Sequence, residues 1–202
     1  MLFGDSGFAA ALEYSESTTP WNYLFQTDGS GFKNIIVPAG GFRHTAGNRE
    51  IREFGEGIWR GDHNLYMNGI NVFNFTISEV PNAIKKLMAQ TGKTPEDIDM
   101  LVLHQANLFI LKNIAKMTKF PMVKVPISMD RYGNTSVTSI PLTLCDAFNK
   151  KSDTAATGIK QLVLSGFGVG LSWGVVSLAL DPALCLPIAY SNDSFNDGEL
   201  DV

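Results

Sequence analysis

The stretch Met100-Leu101-Val102-Leu103-His104-Gln105-Ala106-Asn107-Leu108-Phe109-Ile110-Leu111 decides how the 202-residue sequence is read. A run of apolar residues this short, ending at polar ones, suits a buried strand. Leu108, Leu111, Ile114 and Ala115 then recur at helical spacing. The segment therefore predicts a strand that exits at His104 into an amphipathic helix. In open α/β sheets, side chains at such exits face the crevice where ligands bind.

Upstream, Val80, Ile84, Leu87 and Met88 share a helical face and Gly92 follows as a stop. Thr94-Pro95-Glu96-Asp97 offers an N-cap, a proline at the first helical position and an acidic first turn, which predicts a short helix. Downstream, residues 123–127 form a strand candidate that Pro126 confines to an edge. Tyr132-Gly133-Asn134-Thr135-Ser136 is turn chemistry, and residues 141–149 suit a helix. Residues 162–164 and 173–180 read as strands joined by Gly166-Phe167-Gly168-Val169-Gly170. Near the start, Gly4-Asp5-Ser6-Gly7 punctuates a strand expected over residues 8–12, within a first unit of residues 1–14. Residues 15–66 lack periodicity and suggest an irregular excursion or lid. Residues 67–180 form the regular core domain, and residues 181–202, with five acidic and no basic residues, suggest a flexible tail. Helices alternating with strands and ending in a hairpin indicate an α/β layered fold around a mixed sheet.

Composition narrows the function. A chain that is 45% hydrophobic can bury one sizeable core, and no apolar run approaches the roughly 18–20 residues of a membrane span. The net charge of -4 argues against a nucleic-acid-binding module. Cys145 and Cys185 form neither a metal-ligand spacing nor a disulfide framework, which fits a reducing cytoplasm. The start lacks the marks of a secretory signal and reads like the middle of a protein. Between positions 104 and 127 there is no acidic residue, whereas Lys112, Lys116, Lys119 and Lys124 all occur. They form either a solvated helix face or a docking patch for an acidic partner.

Three loops carry the candidate chemistry. His104 is placed by its strand exit. Asn134 reads equally well as an ordinary asparagine turn. The 166–170 loop contains G-x-G, but a strand follows it, so the helix N-terminus that a phosphate cradle requires is lacking. A tight glycine loop can instead aim backbone N–H groups at a small oxygen, as oxyanion holes do. A histidine, an asparagine amide and such an N–H can together stabilise charge on a thioester oxygen. A nucleophile is missing from this set. Cys145 shares a helical face with Leu142 and Phe148, which predicts an inert thiol, and Cys185 lies in the acidic tail. No Gly-x-Ser-x-Gly elbow supports a hydrolase. His44 and His63 form no metal spacing with His104.

His104-Gln105-Ala106-Asn107, Tyr132-Gly133-Asn134-Thr135-Ser136 and Gly166-Phe167-Gly168-Val169-Gly170 with Trp173-Gly174, in this order, resemble β-ketoacyl-acyl carrier protein synthase III and its thiolase-fold relatives. Phe3-Gly4-Asp5 and residues 67–73 extend the likeness to residues 1–180. The resemblance implies a thiolase-like layered fold with helices on both sheet faces. It makes this chain the C-terminal half plus the last strand of the N-terminal half, residues 1–14, with the catalytic cysteine in the absent half. It also implies an acyltransferase that joins an acyl thioester, supplied from acyl-CoA, to malonyl-acyl carrier protein with loss of CO2. His104 and Asn134 would stabilise the malonyl enolate and the Val169 N–H would complete a second oxyanion hole. Gln105, Asn107, Phe167 and Gly168 would bind substrate, and Lys112 and Lys116 would dock the carrier protein. No cofactor or metal is implied, and the expected assembly is a homodimer or a pairing with a related subunit. Two positions depart from the family pattern: Phe109 stands where an arginine is usual and Asn74 where a lysine is usual. The fragment alone is expected to be inactive, and the alternative is a noncatalytic partner subunit or pseudo-enzyme of the same fold.

Overall fold

The structure, a computed structural model, describes residues 2–16, 19–54, 57–149 and 158–192. In chain order the elements are β1 (Asn22–Thr27), the two-residue strands β2 (Ile35–Ile36), β3 (Arg52–Glu53), β4 (Trp59–Arg60) and β5 (Tyr66–Met67), then α1 (Gly69–Thr91) and β6 (Met100–Leu103). Helices α2 (Leu108–Thr118), α3 (Met129–Tyr132) and α4 (Ser139–Phe148) follow, before the hairpin of β7 (Lys160–Gly168) and β8 (Ser172–Leu180).

Four strands make one mixed sheet in the order β1-β8-β7-β6. Strand β6 runs parallel to β7, with Leu103 opposite Ser165, and the other two pairings are antiparallel. Because successive side chains on a strand point to opposite faces, each central strand feeds two cores. Leu101, Leu103, Val163, Phe167, Trp173 and Val175 pack with α1 and α2 on one face. Val102, Leu162 and Leu178 pack with Leu144 of α4 on the other, joined by Ile140 and Phe148. The mixed sheet with helices on both faces matches the expected layered α/β fold.

Helix α1 has the anticipated buried face, including Val80, Ile84, Leu87 and Met88, and ends on Gly92 in the left-handed conformation. Thr94 to Asp97 forms only a 3-10 turn, Pro95–Asp97, closed by the Thr94 N–H donating to Asp97 Oδ2 at 2.8 Å. The expected helix near 141–149 begins two residues earlier, at Ser139.

Other segments differ from expectation for identifiable reasons. Residues 8–12 pair with no strand, and the only bridge in residues 2–14 joins Phe3 to Asn134; apolar character alone cannot make a strand without a ladder partner. Inside the expected excursion, Asn22–Thr27 is an edge strand of the main sheet. The aromatic ring of Phe25 lies over Gly174, where a Cβ would meet Phe25 Cδ1 at 2.6 Å. Residues 123–127 form no strand. Between Pro121 and Pro126 the chain makes a 3-10 turn, Met122–Lys124, and the Lys124 ammonium donates to the Pro95, Glu96 and Ile98 carbonyls at 2.8, 3.1 and 2.6 Å. That residue is therefore a structural tie and drops out of the lysine patch. The segment after β8 is anchored as far as Tyr190: Cys185 packs on the second core, Asn149 Nδ2 donates to the Cys185 carbonyl at 2.9 Å, and the Tyr132 and Tyr190 hydroxyls lie 3.2 Å apart. Of the flexible tail expected over residues 181–202, the first part is thus held against the protein, and residues 193–202 lie outside the described residues.

Candidate functional site

His104 sits one residue past β6 and continues its ladder, its N–H donating to the Ser165 carbonyl at 2.9 Å. The imidazole is held on two sides. Its Nδ1 lies 2.7 Å from Ser139 Oγ, and the Phe167 ring meets it edge-on at 5.4 Å and 82°. Burial pushes the His104 pKa below its ordinary value of 6.5, while a hydrogen bond to the Ser136 backbone acts in the opposite direction. The shift favours the neutral form of the ring.

This shift has a consequence for stability. With a depressed folded-state pKa, the unfolded chain binds more protons below about pH 6.5. The His104 contribution is present above the unfolded value and is lost as pH falls through the folded one. Urea unfolding at about pH 7.5 and about pH 5 should show a smaller pH-dependent loss for His104→Gln than for the parent chain. Equal losses would remove His104 as the buried neutral group.

Asn134 is set by its backbone and by its side chain. Its N–H donates to the Leu2 carbonyl at 2.9 Å and its carbonyl accepts from the Gly4 N–H at 3.1 Å. Gly4 is required for this approach, since a Cβ there would fall 1.9 Å from the Tyr132 carbonyl oxygen. The carboxamide Oδ1 accepts the Ser136 N–H at 2.9 Å, which leaves the amide NH2 without a partner among the described residues. Ser136 has φ of 56°, in the left-handed region that non-glycine residues rarely enter. It joins the two candidates: its N–H fixes Asn134 and its carbonyl faces His104. Sequence pattern missed Ser136 and Ser139, because serines in a polar turn carry no periodic signal.

The loop is braced from below. Arg131 pairs with the buried Asp146 of α4 through its two terminal guanidinium nitrogens, and the Tyr132 hydroxyl donates to the same carboxylate at 3.3 Å. Gln105, expected to touch substrate, is instead fully buried. Its Nε2 donates to the Leu103 and Pro126 carbonyls at 2.9 and 3.4 Å, and its Oε1 accepts the Ser128 and Met129 N–H groups at 3.0 and 3.4 Å. With its amide fully engaged, it is scaffold and not a substrate contact.

Asn107 caps α2 through Oδ1, which accepts the Ile110 N–H at 2.8 Å. It also lines a cleft of about 170 Å³ with Leu2, Ala106, Leu108, Gly133 and Asn134. A second cleft of about 290 Å³, bordered by Asn48, Arg49 and His63, is larger. It holds none of the strand-exit groups, whereas the smaller one holds Asn107 and Asn134, with His104 outside its lining, and is the candidate site. Phe167 is buried against His104, Gly168 closes the hairpin ladder opposite Ser172, and Val169 is exposed in the turn beyond. Lys112 and Lys116 are exposed one turn apart on α2. Phe109, also exposed, stacks on Phe73 with ring centroids 5.3 Å apart.

Neither thiol is activated. Burial raises the pKa of Cys145, and it raises that of Cys185 to about 11. Among the described residues, no three metal-ligating side chains converge, and no helix is long and apolar enough to cross a membrane.

The comparisons with known proteins converge on one family. Residues 88–180 match the family model for the 3-oxoacyl-[acyl-carrier-protein] synthase III C-terminal domain. The β-ketoacyl-[acyl-carrier-protein] synthase III of Symbiobacterium thermophilum is 35% identical over 179 residues, covering 88% of this chain and 51% of the relative. A solved 3-oxoacyl-(acyl-carrier-protein) synthase III superposes with a TM-score of 0.72 at 40% identity, over 84% of this chain and 49% of the other. The 3-oxoacyl-(acyl-carrier protein) synthase of Burkholderia xenovorans LB400 gives a TM-score of 0.68 at 32% identity, over 83% and 46%. The chain thus spans about half the length of the relatives it matches. Strands β6 to β8, the strand-exit histidine and the asparagine turn all fall within the residues matched by the family model, and the chain is homologous to the C-terminal half of β-ketoacyl-[acyl-carrier-protein] synthase III, with residues 88–180 matching that family's C-terminal domain.

Proposed function

We propose that this chain supplies the oxyanion-stabilising half of a site for decarboxylating condensation, joining an acyl group from acyl-CoA to malonyl-acyl carrier protein. The observation that carries the reading is the orientation of Asn134. Its Oδ1 is occupied by the Ser136 N–H, so its NH2 is the available end, on the same turn that borders a neutral His104.

In this reaction the bond between the malonyl α-carbon and its carboxylate breaks and CO2 leaves. The electron pair spreads onto the thioester oxygen as an enolate. Neutral donors already aimed at that oxygen lower the barrier, because they need no reorganisation as charge develops. The α-carbon then attacks the acyl thioester carbonyl, forming the new carbon–carbon bond and expelling the thiolate that carried the acyl group. The Val169 N–H serves the oxygen of that second carbonyl, while Asn107, Phe167 and Gly168 border the thioester. Lys112 and Lys116 offer positive charge to an acidic carrier protein. The thiolate belongs to a segment other than these residues, since burial raises the pKa of both cysteines here. Two free thiols suit a cytoplasmic setting.

The raised thiols, and the stacking of Phe109 on Phe73 where the family pattern has an arginine at position 109, favour a second reading. In it the chain is a noncatalytic partner that pairs with a related subunit. Joining this chain to the nucleophile-bearing half of a relative discriminates the two. With acyl-CoA and malonyl-acyl carrier protein, the joined protein is expected to release CO2 and form the β-ketoacyl product, and the chain alone to form none. Acyl transfer without condensation in the joined protein would support the noncatalytic reading. Product from the chain alone would return Cys145 to consideration.

A further inference from the structure

We propose that Ser139 is a positioning residue whose hydroxyl donates to His104 Nδ1 and so keeps the proton of the neutral imidazole on Nε2. The relevance of this tautomer to catalysis rests on the function proposed above, whereas the tautomer itself does not.

The argument is one of hydrogen-bond accounting. Ser139 is 1% exposed, and a buried hydroxyl that wastes its proton is costly. Its oxygen accepts at long range from the Gln105 N–H, at 3.5 Å. At the start of a helix the usual outlet for a serine proton is the carbonyl four residues back. Here that carbonyl, on Thr135, takes the Thr138 hydroxyl at 2.7 Å. Among the described residues the remaining acceptor within reach of the Ser139 proton is His104 Nδ1, at 2.7 Å.

Ser139 is itself immobilised. Its carbonyl accepts the Thr143 hydroxyl at 2.6 Å, Thr143 Oγ1 lies 2.7 Å from Ser128 Oγ, and the Ser128 N–H is held by Gln105 Oε1. The chain of bonds closes a buried loop from Gln105 to the residue before it, His104. Phe167 fixes the ring plane from the side. A neutral imidazole carries one ring proton, and the nitrogen that bears it is set by the hydrogen bond at the other. With Nδ1 occupied as an acceptor, Nε2–H becomes the donor, as stabilising an enolate oxygen requires.

The test is nitrogen-15 NMR of the histidine-labelled 202-residue chain near neutral pH, with the His104 signals identified by their loss in His104→Asn. In the parent chain Nδ1 should resonate as an unprotonated ring nitrogen and Nε2 as a protonated one. Ser139→Ala should shift the balance toward Nδ1–H by roughly fivefold, the equivalent of one ordinary hydrogen bond. A protonated Nδ1 in the parent chain would overturn the proposal even if Ser139→Ala failed to fold. So would an unchanged tautomer in a folded Ser139→Ala chain. The predicted tautomer in a chain whose joined form does not condense would overturn the proposed function and leave the role of Ser139 standing.

Discussion

Asn134→Ala and His104→Ala, each introduced into the joined synthase, are expected to lower malonyl decarboxylation by about 10² to 10³, the usual cost of deleting one oxyanion donor. For Asn134 the nature of the substitution matters. Alanine removes the donor but also the Oδ1 that fixes the Ser136 N–H at 2.9 Å. Asn134→Asp keeps that acceptor, and the turn with it, while replacing the NH2 by an anionic oxygen. It should therefore fold at least as well as the alanine variant and be no more active, because a negative charge would oppose the developing enolate. An active Asn134→Asp enzyme would show that the turn matters and the donor does not. His104 differs in that Ser139 and Phe167 hold its ring, so its alanine variant also opens a cavity. His104→Gln, which retains a donor, is the better control for packing.

The second large effect concerns folding. Gln105→Leu should destabilise the chain by about 3–5 kcal/mol, because it strands two carbonyls and two N–H groups that now share one buried amide. The estimate lies below the sum of four separate penalties, since backbone relaxation and water recover part of each. Against a typical domain stability of about 5–15 kcal/mol, that loss is visible as a lower urea midpoint with an unchanged slope. A loss under about 1 kcal/mol would mean that these contacts contribute little net stability.

The sequence displayed the regular elements and part of the candidate site for a physical reason. Burial imposes periodicity, and periodicity is what a sequence displays. Val80, Ile84, Leu87 and Met88 announce one face of α1, and Leu101 to Leu103 announce a strand buried on both sides. His104 was legible because it stands at the end of such an element, whereas Asn134 read equally well as an ordinary turn and was singled out by the family resemblance. What escaped depends on partners distant in the chain. Asn22–Thr27 is a strand only because β8 offers an edge with Gly174 beneath Phe25. Lys124 resembled a surface charge, yet three carbonyls from residues 95–98 surround it. Gln105, beside His104 in sequence, shared its apparent promise, but the side chain turns into the protein to satisfy backbone groups. Adjacent residues at a strand exit point in opposite directions, so proximity in sequence to the candidate His104 predicted the wrong role for Gln105.

The central claim is that His104 and Asn134 act on the malonyl enolate. It is tested most directly by measuring the two half-reactions separately in the joined synthase: acyl transfer from acyl-CoA to the nucleophile, and CO2 release from malonyl-acyl carrier protein. The predicted result for His104→Gln, Asn134→Ala and Asn134→Asp is acyl transfer within a few-fold of the parent, with decarboxylation reduced by about 10² or more in the two asparagine variants. Undiminished decarboxylation in those variants, or an equal loss of both half-reactions, would contradict it.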